Sequence, residues 1–433
     1  MSMFALALVM LALMITLILL GLNIAITMTV VGFVGIILAK DFSTAIAVLR
    51  QIPANNATMY TLTVIPLFVL MGNAVFQSGI SDGLFEATNK WLSRMPGNLA
   101  CATVFACAVF GAVCGSTIAT TATIGTAAYP KMKEAGYKDT LIAGSIASGG
   151  GLGILIPPST TMIIYGVATE NSIGKLFAAG ALPGILCCIV IIIQIIIMIK
   201  ANPTLAPGGE KCSWIERLKS LKSLIYIVVL FLAVLGGMFS GFVTVNEAAA
   251  LGAVISIIMM AMKGKLNWKN LKSITADAIK TSGMCYFCMV GAAILGSFLT
   301  LTRMPAALSG VVANLNVSRY VILAVIFLIY GILGCIMNAT PMVLLTMPVF
   351  YPIITYLGFD SIWFGVFIVL IVNLGGITPP VGLNCYVLAG TVKELPLATI
   401  FRGSLPFCIS ILLTIIIITI FPQIATWLPS LLY

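Results

Sequence analysis

The sequence has 433 residues, of which 61% are hydrophobic and 8% are charged, and its formal net charge is +10. Water-soluble globular domains carry about a quarter charged residues, so this composition excludes a soluble protein and predicts an all-α polytopic membrane protein. The chain contains no histidine, which argues against a proton relay through imidazoles and against a histidine metal site.

The first 39 residues are almost continuously apolar. A single helix of that length would measure about 55 Å, whereas the hydrocarbon core of a bilayer is roughly 30 Å thick. We therefore predict two short spans with a turn near Gly21, Leu22 and Asn23, which places the N-terminus outside. The segment has no basic n-region and no clear cleavage site, so we do not interpret it as a signal peptide.

Basic residues cluster in three sets of short connectors. The clusters are Lys90, Arg94, Lys131, Lys133 and Lys138; Lys200, Lys211, Arg217, Lys219 and Lys222; and Lys263, Lys265, Lys269, Lys272 and Lys280. Lysine and arginine in short loops mark the cytoplasmic side, so we place all three clusters there and predict no nucleic-acid partner. The apolar segments between them then alternate in direction: 140–168 outward, 176–199 inward, 224–241 outward, 243–262 inward and 285–301 outward.

Two short apolar arms, 97–113 and 116–130, are each about 24 Å long as helices, which is too short to cross a bilayer comfortably. We predict a re-entrant hairpin over 97–131 whose tip is Gly115, Ser116 and Thr117. Irregular backbone at membrane depth is tolerated only inside protein or beside a wet cavity, so the tip indicates a transport path.

A glycine-rich run and the pair Pro157-Pro158 follow this hairpin. Glycine gives up helical order cheaply and proline lacks a backbone donor, so we predict a broken transmembrane helix over 140–170. Further along, Thr244 and Glu247 have the spacing of a capping box, which favours a structural role for Glu247 over ion binding.

The second half of the chain repeats the same devices. We predict a hairpin over 318–352 with its tip at 334–341, and a broken helix over 361–391 at Pro379-Pro380. At an offset of 222 residues, Tyr129-Pro130 matches Tyr351-Pro352 and Pro157-Pro158 matches Pro379-Pro380. Two repeats are therefore predicted, 1–200 and 223–433, joined by a cytoplasmic linker at 201–222.

Basic residues flank both ends of the first hairpin, whereas the loop 356–361 after the second hairpin carries none. The charge pattern thus predicts inverted repeats, an arrangement common in secondary transporters. Simple duplication of a helix bundle without a transport role is the alternative.

The unwound segments expose backbone carbonyls and helix ends that can bind Na⁺ or face an anionic substrate. The predicted Na⁺-binding residues are Gly115, Ser116, Thr117, Gly153, Pro157, Ser159, Gly334, Met337, Asn338, Thr340, Gly376, Thr378, Pro379 and Gly382. Four of them are also predicted to contact substrate: Ser116, Ser159, Asn338 and Thr378. For any one serine or threonine, a hydrogen bond to the preceding helical turn is the alternative.

Neither a transition metal nor a cofactor is predicted. Eleven cysteines are present, but most lie in apolar segments, where a thiol behaves as a small apolar side chain. The pair Cys285 and Cys288 lacks a histidine to complete a metal site. We therefore assign the cysteines a structural role.

Several of these motifs resemble the large membrane subunit (DctM-like) of tripartite ATP-independent periplasmic (TRAP) transporters. The resemblance covers essentially the whole chain and is carried by residues 65–72, 95–97, 115–117, 151–166, 245–250 and 378–382. It implies an elevator-type transporter that uses inward Na⁺ flow to import an organic acid such as a dicarboxylate, a sialic acid or a sugar acid. One departure is that Asn338 stands in the second tip where Ser116 stands in the first.

The same resemblance implies two partners and a location. The partners are a small four-helix membrane subunit and a periplasmic substrate-binding protein, and the location is the bacterial inner membrane. Three alternatives remain: a single-component Na⁺-coupled organic-anion symporter or antiporter of related fold, a passive channel, and a membrane enzyme. The sequence shows no catalytic constellation, so no enzyme activity is predicted.

Overall fold

The computed structural model describes residues 2–207, 212–314 and 317–433, so Lys211 and the middle of the predicted linker lie outside the described residues. Every regular element in these ranges is helical. The first ten helices are α1 (Met3–Leu19), α2 (Ile24–Ala39), α3 (Phe42–Thr58), α4 (Val64–Ser78), α5 (Ile80–Leu92), α6 (Asn98–Cys114), α7 (Thr117–Glu134), α8 (Asp139–Gly150), α9 (Thr160–Ala168) and α10 (Ile173–Ala201).

Thirteen more α-helices follow the tenth. They are α11 (Trp214–Ser220), α12 (Ile225–Phe231), α13 (Gly237–Phe239), α14 (Val245–Met262), α15 (Trp268–Leu301), α16 (Met304–Asn314), α17 (Arg319–Gly334), α18 (Ala339–Tyr356), α19 (Ser361–Ile377), α20 (Leu383–Thr391), α21 (Leu397–Ser404), α22 (Cys408–Ile420) and α23 (Gln423–Leu432). Short 3₁₀ turns occur at Tyr60–Thr63, Gly151–Ile154, Pro203–Leu205, Leu221–Ser223 and Leu405–Phe407, and a π turn at Leu232–Gly236.

Six helical segments in the described ranges are long and apolar enough to cross a membrane, and a seventh is added if the bent pair at 214–239 is one span. The six are Tyr60–Ser78, Ile173–Ala201, Val245–Met262, Trp268–Leu301, Ala339–Tyr356 and Leu397–Ile420. The predicted all-helical, multi-pass membrane architecture is thereby confirmed.

The N-terminal segment turns between α1 and α2, where the sequence predicted it. Gly21 has a φ of 88°, which glycine adopts without strain. The Asn23 side chain then accepts a hydrogen bond from the Ala25 amide and begins α2.

Two segments differ from the sequence prediction. The outward segment predicted at 285–301 is the end of a 34-residue helix, α15, about 51 Å long. The prediction followed apolar residues only, whereas lysine is a good helix former and continues the helix beyond the apolar stretch. Part of the predicted linker is helical as well, because Ser213 and Glu216 form a capping box that begins α11.

One set of helices, α2, α3, α4, α14 and α15, forms what we call the flanking group. A Cβ added to Gly32 of α2 would lie 2.8 Å from the backbone nitrogen of Leu295 in α15, so these two helices touch backbone to backbone. The Tyr286 hydroxyl of α15 donates to the Pro53 carbonyl of α3 at 2.6 Å. These contacts make the flanking group a continuous unit.

A second set, α6–α10 and α17–α22, forms what we call the central group. All residues from Ile362 to Ile377 of α19 are buried, and so are all residues from Leu141 to Gly150 of α8. Helices α8 and α19 therefore form the core of this group. Both predicted hairpins and both predicted broken helices lie in this central group.

The start of α14 provides a test of the role of Glu247. Its Oε2 accepts from the Thr244 amide and hydroxyl, both at 2.8 Å, and the Thr244 Oγ1 accepts from the Glu247 amide. We expect Thr244→Val to cost about 1 kcal/mol of stability, because the helix loses its N-cap. Thermal unfolding of the purified variant should give a lower Tm, with Thr16→Val in α1 as the control. An unchanged Tm would show that this cap does not contribute to stability.

Candidate functional site at the hairpin tips and helix breaks

The first hairpin tip lies between α6 and α7. Gly115 has a φ of 63°, which reverses the chain, and Ser116 is the N-cap of α7, where its Oγ accepts from the Ala119 amide at 3.4 Å. A Cβ on Gly111 would overlap the Cα of Gly153 in the following broken helix. The absence of side chains at these two glycines thus brings the hairpin arm directly onto the backbone of the broken helix.

The first break separates α8 from α9. After the 3₁₀ turn at Gly151–Ile154 the chain is non-helical through Ser159. The Ser159 hydroxyl donates to the Ile154 carbonyl at 2.5 Å and accepts from the Met162 amide at 3.3 Å, so it closes the break and caps α9. The Thr160 hydroxyl donates to the Gly115 carbonyl at 2.9 Å. The first tip and the first break are therefore in direct contact.

The second tip and the second break meet in a similar way. The Cys335 carbonyl accepts from the amides of Val381 and Gly382 at 3.2 and 3.3 Å. In both halves, a carbonyl at the hairpin tip thus accepts hydrogen bonds from residues at or just beyond the helix break. Thr378 makes the alternative contact, a hydrogen bond to the preceding helical turn. Its Oγ1 donates to the Leu374 carbonyl.

The fourteen predicted residues differ in their exposure. Nine are buried, namely Gly115, Gly153, Pro157, Ser159, Gly334, Met337, Thr340, Gly376 and Gly382; Ser116, Thr117, Asn338 and Thr378 are half-buried; and Pro379 is exposed. The first break is therefore enclosed by protein, whereas the second opens to the surface at its proline pair. The two candidate sites are not equivalent, and the sequence suggested this only through Asn338.

Sequence reasoning missed a buried polar residue between the two broken helices. Asn373 of α19 is 1% exposed, and neither its Oδ1 nor its Nδ2 has a hydrogen-bond partner among the described residues. Its carboxamide occupies the space where a side chain on Gly151 would lie. The Thr121 Oγ1 is also without a described partner and lies in the same way against Gly150. The sequence does contain a signal for this residue: Asn373 is a polar residue in an apolar helix, six positions before a proline pair.

The two halves of the chain also contact each other where α8 packs against α20 and α21. The Asn384 Nδ2 of α20 donates to the Ala147 carbonyl of α8 at 3.2 Å. Gly144 of α8 and Gly403 of α21 are so close that a Cβ on either would overlap the other helix. The broken helix of the first half is thus held by helices of the second half, and both breaks belong to one packed unit.

The available ligands at the tips and breaks are neutral. Residues 115–117, 155–159, 335–338 and 378–382 contain no aspartate, glutamate, lysine or arginine. Carbonyls, hydroxyls and one carboxamide can bind a monovalent cation without the cost of burying a carboxylate.

Comparison with known proteins identifies relatives over almost the whole chain. Residues 11–424 match the family model for the tripartite ATP-independent periplasmic transporter, DctM component. The chain is 34% identical to the C4-dicarboxylate TRAP transporter large permease protein DctM of Pseudomonas aeruginosa, over 86% of each chain. It is 29% identical to the sialic acid TRAP transporter large permease protein SiaM of Vibrio cholerae, over 93% of this chain and 95% of the relative.

A solved structure shares the fold. The chain aligns with the YdaH transporter of Alcanivorax borkumensis with a TM-score of 0.59, over 89% of this chain and 88% of that one. Only 15% of the aligned residues are identical. At that level of identity the likeness establishes a common fold.

Proposed function

This chain belongs to the DctM family of tripartite ATP-independent periplasmic (TRAP) transporters, and we propose that it is a Na⁺-coupled large permease subunit that imports an organic acid. The proposal includes an elevator mechanism in which the central group moves against the flanking group. It also includes a location in the bacterial inner membrane. The observation that carries it is the contact, made once in each half, between a hairpin-tip carbonyl and residues at or just beyond a helix break.

The coupling ions would occupy the neutral oxygens at these two contacts. In the first half these are the Ser116 hydroxyl, and the Gly115 carbonyl and Ser159 hydroxyl if they exchange their present hydrogen bonds for the ion. In the second half they are the Asn338 carboxamide, and the Cys335 carbonyl if it gives up its two amide donors. Broken helices that supply carbonyls to Na⁺ at the interface of repeats are a recurring transporter device. The unpartnered Oδ1 of Asn373 adds a neutral oxygen between the two.

The elevator proposal is supported by how the two groups are built. The central group is locked internally by glycine contacts such as Gly144 with Gly403, and the flanking group by Gly32 with Leu295. Each group is therefore closely packed within itself, and the proposed motion displaces one packed unit against the other.

The substrate class and the partners follow from the relatives. The P. aeruginosa relative is named for C4-dicarboxylates and the V. cholerae relative for sialic acid, and both classes carry a carboxylate. The family description is tripartite and periplasmic, so we propose a small four-helix membrane subunit and a periplasmic binding protein as partners.

Uptake into vesicles tests the proposal as a whole. The permease and its small subunit are reconstituted, and uptake of radiolabelled succinate and sialic acid is measured with and without a Na⁺ gradient and the binding protein. We expect saturable uptake that requires both. Undiminished uptake without the binding protein would favour a single-component transporter, and uptake without saturation or Na⁺ dependence would indicate a channel.

Two substitutions test the ion ligands at the tips. We expect Ser116→Ala and Asn338→Ala each to raise the half-saturating Na⁺ concentration about tenfold, since one lost ligand is worth about 1.4 kcal/mol. The measurement is uptake against Na⁺ concentration at constant ionic strength. Ser297→Ala is the matched control, because the Ser297 hydroxyl only donates to Ala293 within α15. Wild-type Na⁺ dependence in both tip variants would exclude these side chains as ligands.

A further inference from the structure

A cavity of about 610 Å³ lies between the flanking and central groups, and its lining includes no residue of 115–117 or 334–341. Its walls come from the end of α3, the turn after α9, the last part of α15 and the hairpin helix α18. Apolar residues such as Met289, Leu344 and Met347 line much of it. The size falls within the range of small-molecule binding sites, roughly 300–1,000 Å³.

Two charged residues in this cavity have an unusual backbone. Glu170 and Arg303 have φ values of 57° and 53°, and they are the two non-glycine residues with positive φ in the described part of the chain. This conformation costs an L-residue about 1–2 kcal/mol, which glycine would avoid. Both residues line the same cavity. Each residue directly follows the C-cap of a helix, α9 or α15, where a left-handed residue commonly ends the helix. The two helix ends thus place opposite charges on the wall of one cavity.

Glu170 and Arg303 are both exposed residues, and no described residue pairs with either charge. Within residues 2–207, 212–314 and 317–433, the side chains of Glu170 and Arg303 are in no salt bridge and in none of the hydrogen bonds. Arg319, by comparison, packs its guanidinium against Tyr320 and Phe359. Glu170 follows the first broken helix, whereas Arg303 follows the flanking helix α15. The cavity is therefore lined by one acidic and one basic side chain from different helix groups.

We propose that this cavity binds the solute before it reaches the hairpin tips, with Arg303 receiving its carboxylate or sulfonate and Glu170 receiving a hydroxyl or ammonium donor. The charge-based orientation places both residues at the outer end of the chain's spans, where solute arrives. A second carboxylate would face Glu170 and be repelled. The cavity thus selects a solute with one acidic group and a hydrogen-bond donor over a dicarboxylate. This inference rests on the proposed function, because it assumes import of an organic acid.

Direct binding to the purified protein in nanodiscs tests the proposal. Titration calorimetry is run with sialic acid, gluconate, glycine and succinate, without a Na⁺ gradient and without the binding protein. We expect at least one of the first three to bind more tightly than succinate. Arg303→Gln should weaken that binding at least tenfold, because a charge-assisted hydrogen bond is lost. Glu170→Gln should reduce the difference in affinity between succinate and the probe that binds most tightly. Arg50→Gln is the control, since Arg50 is an exposed arginine on α3 that does not line the cavity.

Three results would overturn the inference. They are succinate binding as tightly as the other probes, no binding of any probe, and unchanged binding in Arg303→Gln. Uptake in vesicles distinguishes failure of the cavity inference from failure of the proposed permease function. Na⁺-dependent, binding-protein-dependent uptake that persists unchanged in Arg303→Gln and Glu170→Gln would reject the cavity site and leave the permease function standing.

Discussion

Alanine at Gly375 should reduce Na⁺-driven uptake to about one hundredth of the wild-type rate. The added Cβ would overlap the carbonyl carbon and oxygen of Gly334, which is the last residue of the hairpin arm α17. Either the arm or the broken helix α19 must shift, and both lead directly into the second candidate ion site. A displacement of about 1 Å at a preorganised site costs on the order of 100-fold in rate. Initial uptake rates in vesicles of matched protein content provide the measurement.

The hairpin arm α17 supplies a matched control for this substitution. A Cβ on Gly331 would have no neighbour within 4 Å. We therefore expect Gly331→Ala to transport nearly as well as wild type. Equal loss of uptake in Gly375→Ala and Gly331→Ala would show that the hairpin region is sensitive to any added side chain, and the close approach of Gly375 to Gly334 would then have no special role.

The double substitution Pro157→Ala, Pro158→Ala should abolish transport. Both prolines are buried in the first break, lack amide donors and push the preceding residue out of the helical region. Alanine restores two donors and favours helix by about 3 kcal/mol per position. Joining α8 to α9 would move Ser159 and Thr160 away from the Gly115 carbonyl, and the first candidate ion site would lose its geometry.

Uptake and folding must be separated in that experiment. Thermal unfolding of the purified variant should show a folded protein with a Tm near or above that of wild type, while uptake is lost. Pro53→Ala is a suitable control, because Pro53 lies inside α3 and away from both breaks. Retained transport in the double variant would reject the requirement for a broken helix.

The positions of the helix breaks could be predicted because their causes are local. Glycine and proline act on their own backbone, so Gly115 and the pairs at 157–158 and 379–380 indicate a break without knowledge of the tertiary structure. Individual ligands could not be assigned in this way, because a local sequence pattern does not show whether a hydroxyl group is already hydrogen-bonded. The Thr378 hydroxyl is satisfied by its own helix, and no local pattern distinguishes it from the hydroxyl of Ser116.

Tertiary contacts account for what the sequence could not predict. Asn373 meets Gly151 across 222 positions of chain, and only the packing of α19 against the first broken helix places them together. The positive φ values of Glu170 and Arg303 were equally hidden, because any charged residue in a loop is compatible with ordinary backbone. Helix α15 was predicted too short because apolarity marks the part of a helix that lies in lipid and says nothing about its continuation into water.

The unequal enclosure of the two proline pairs has a kinetic consequence. If coupling ions bind at the two breaks as proposed, the position at Pro379 and Pro380 is reached from the protein surface without a rearrangement. A position beside Pro157 and Pro158 is reached only when the neighbouring helices separate. Ion binding at the first break would then be the slower of the two steps.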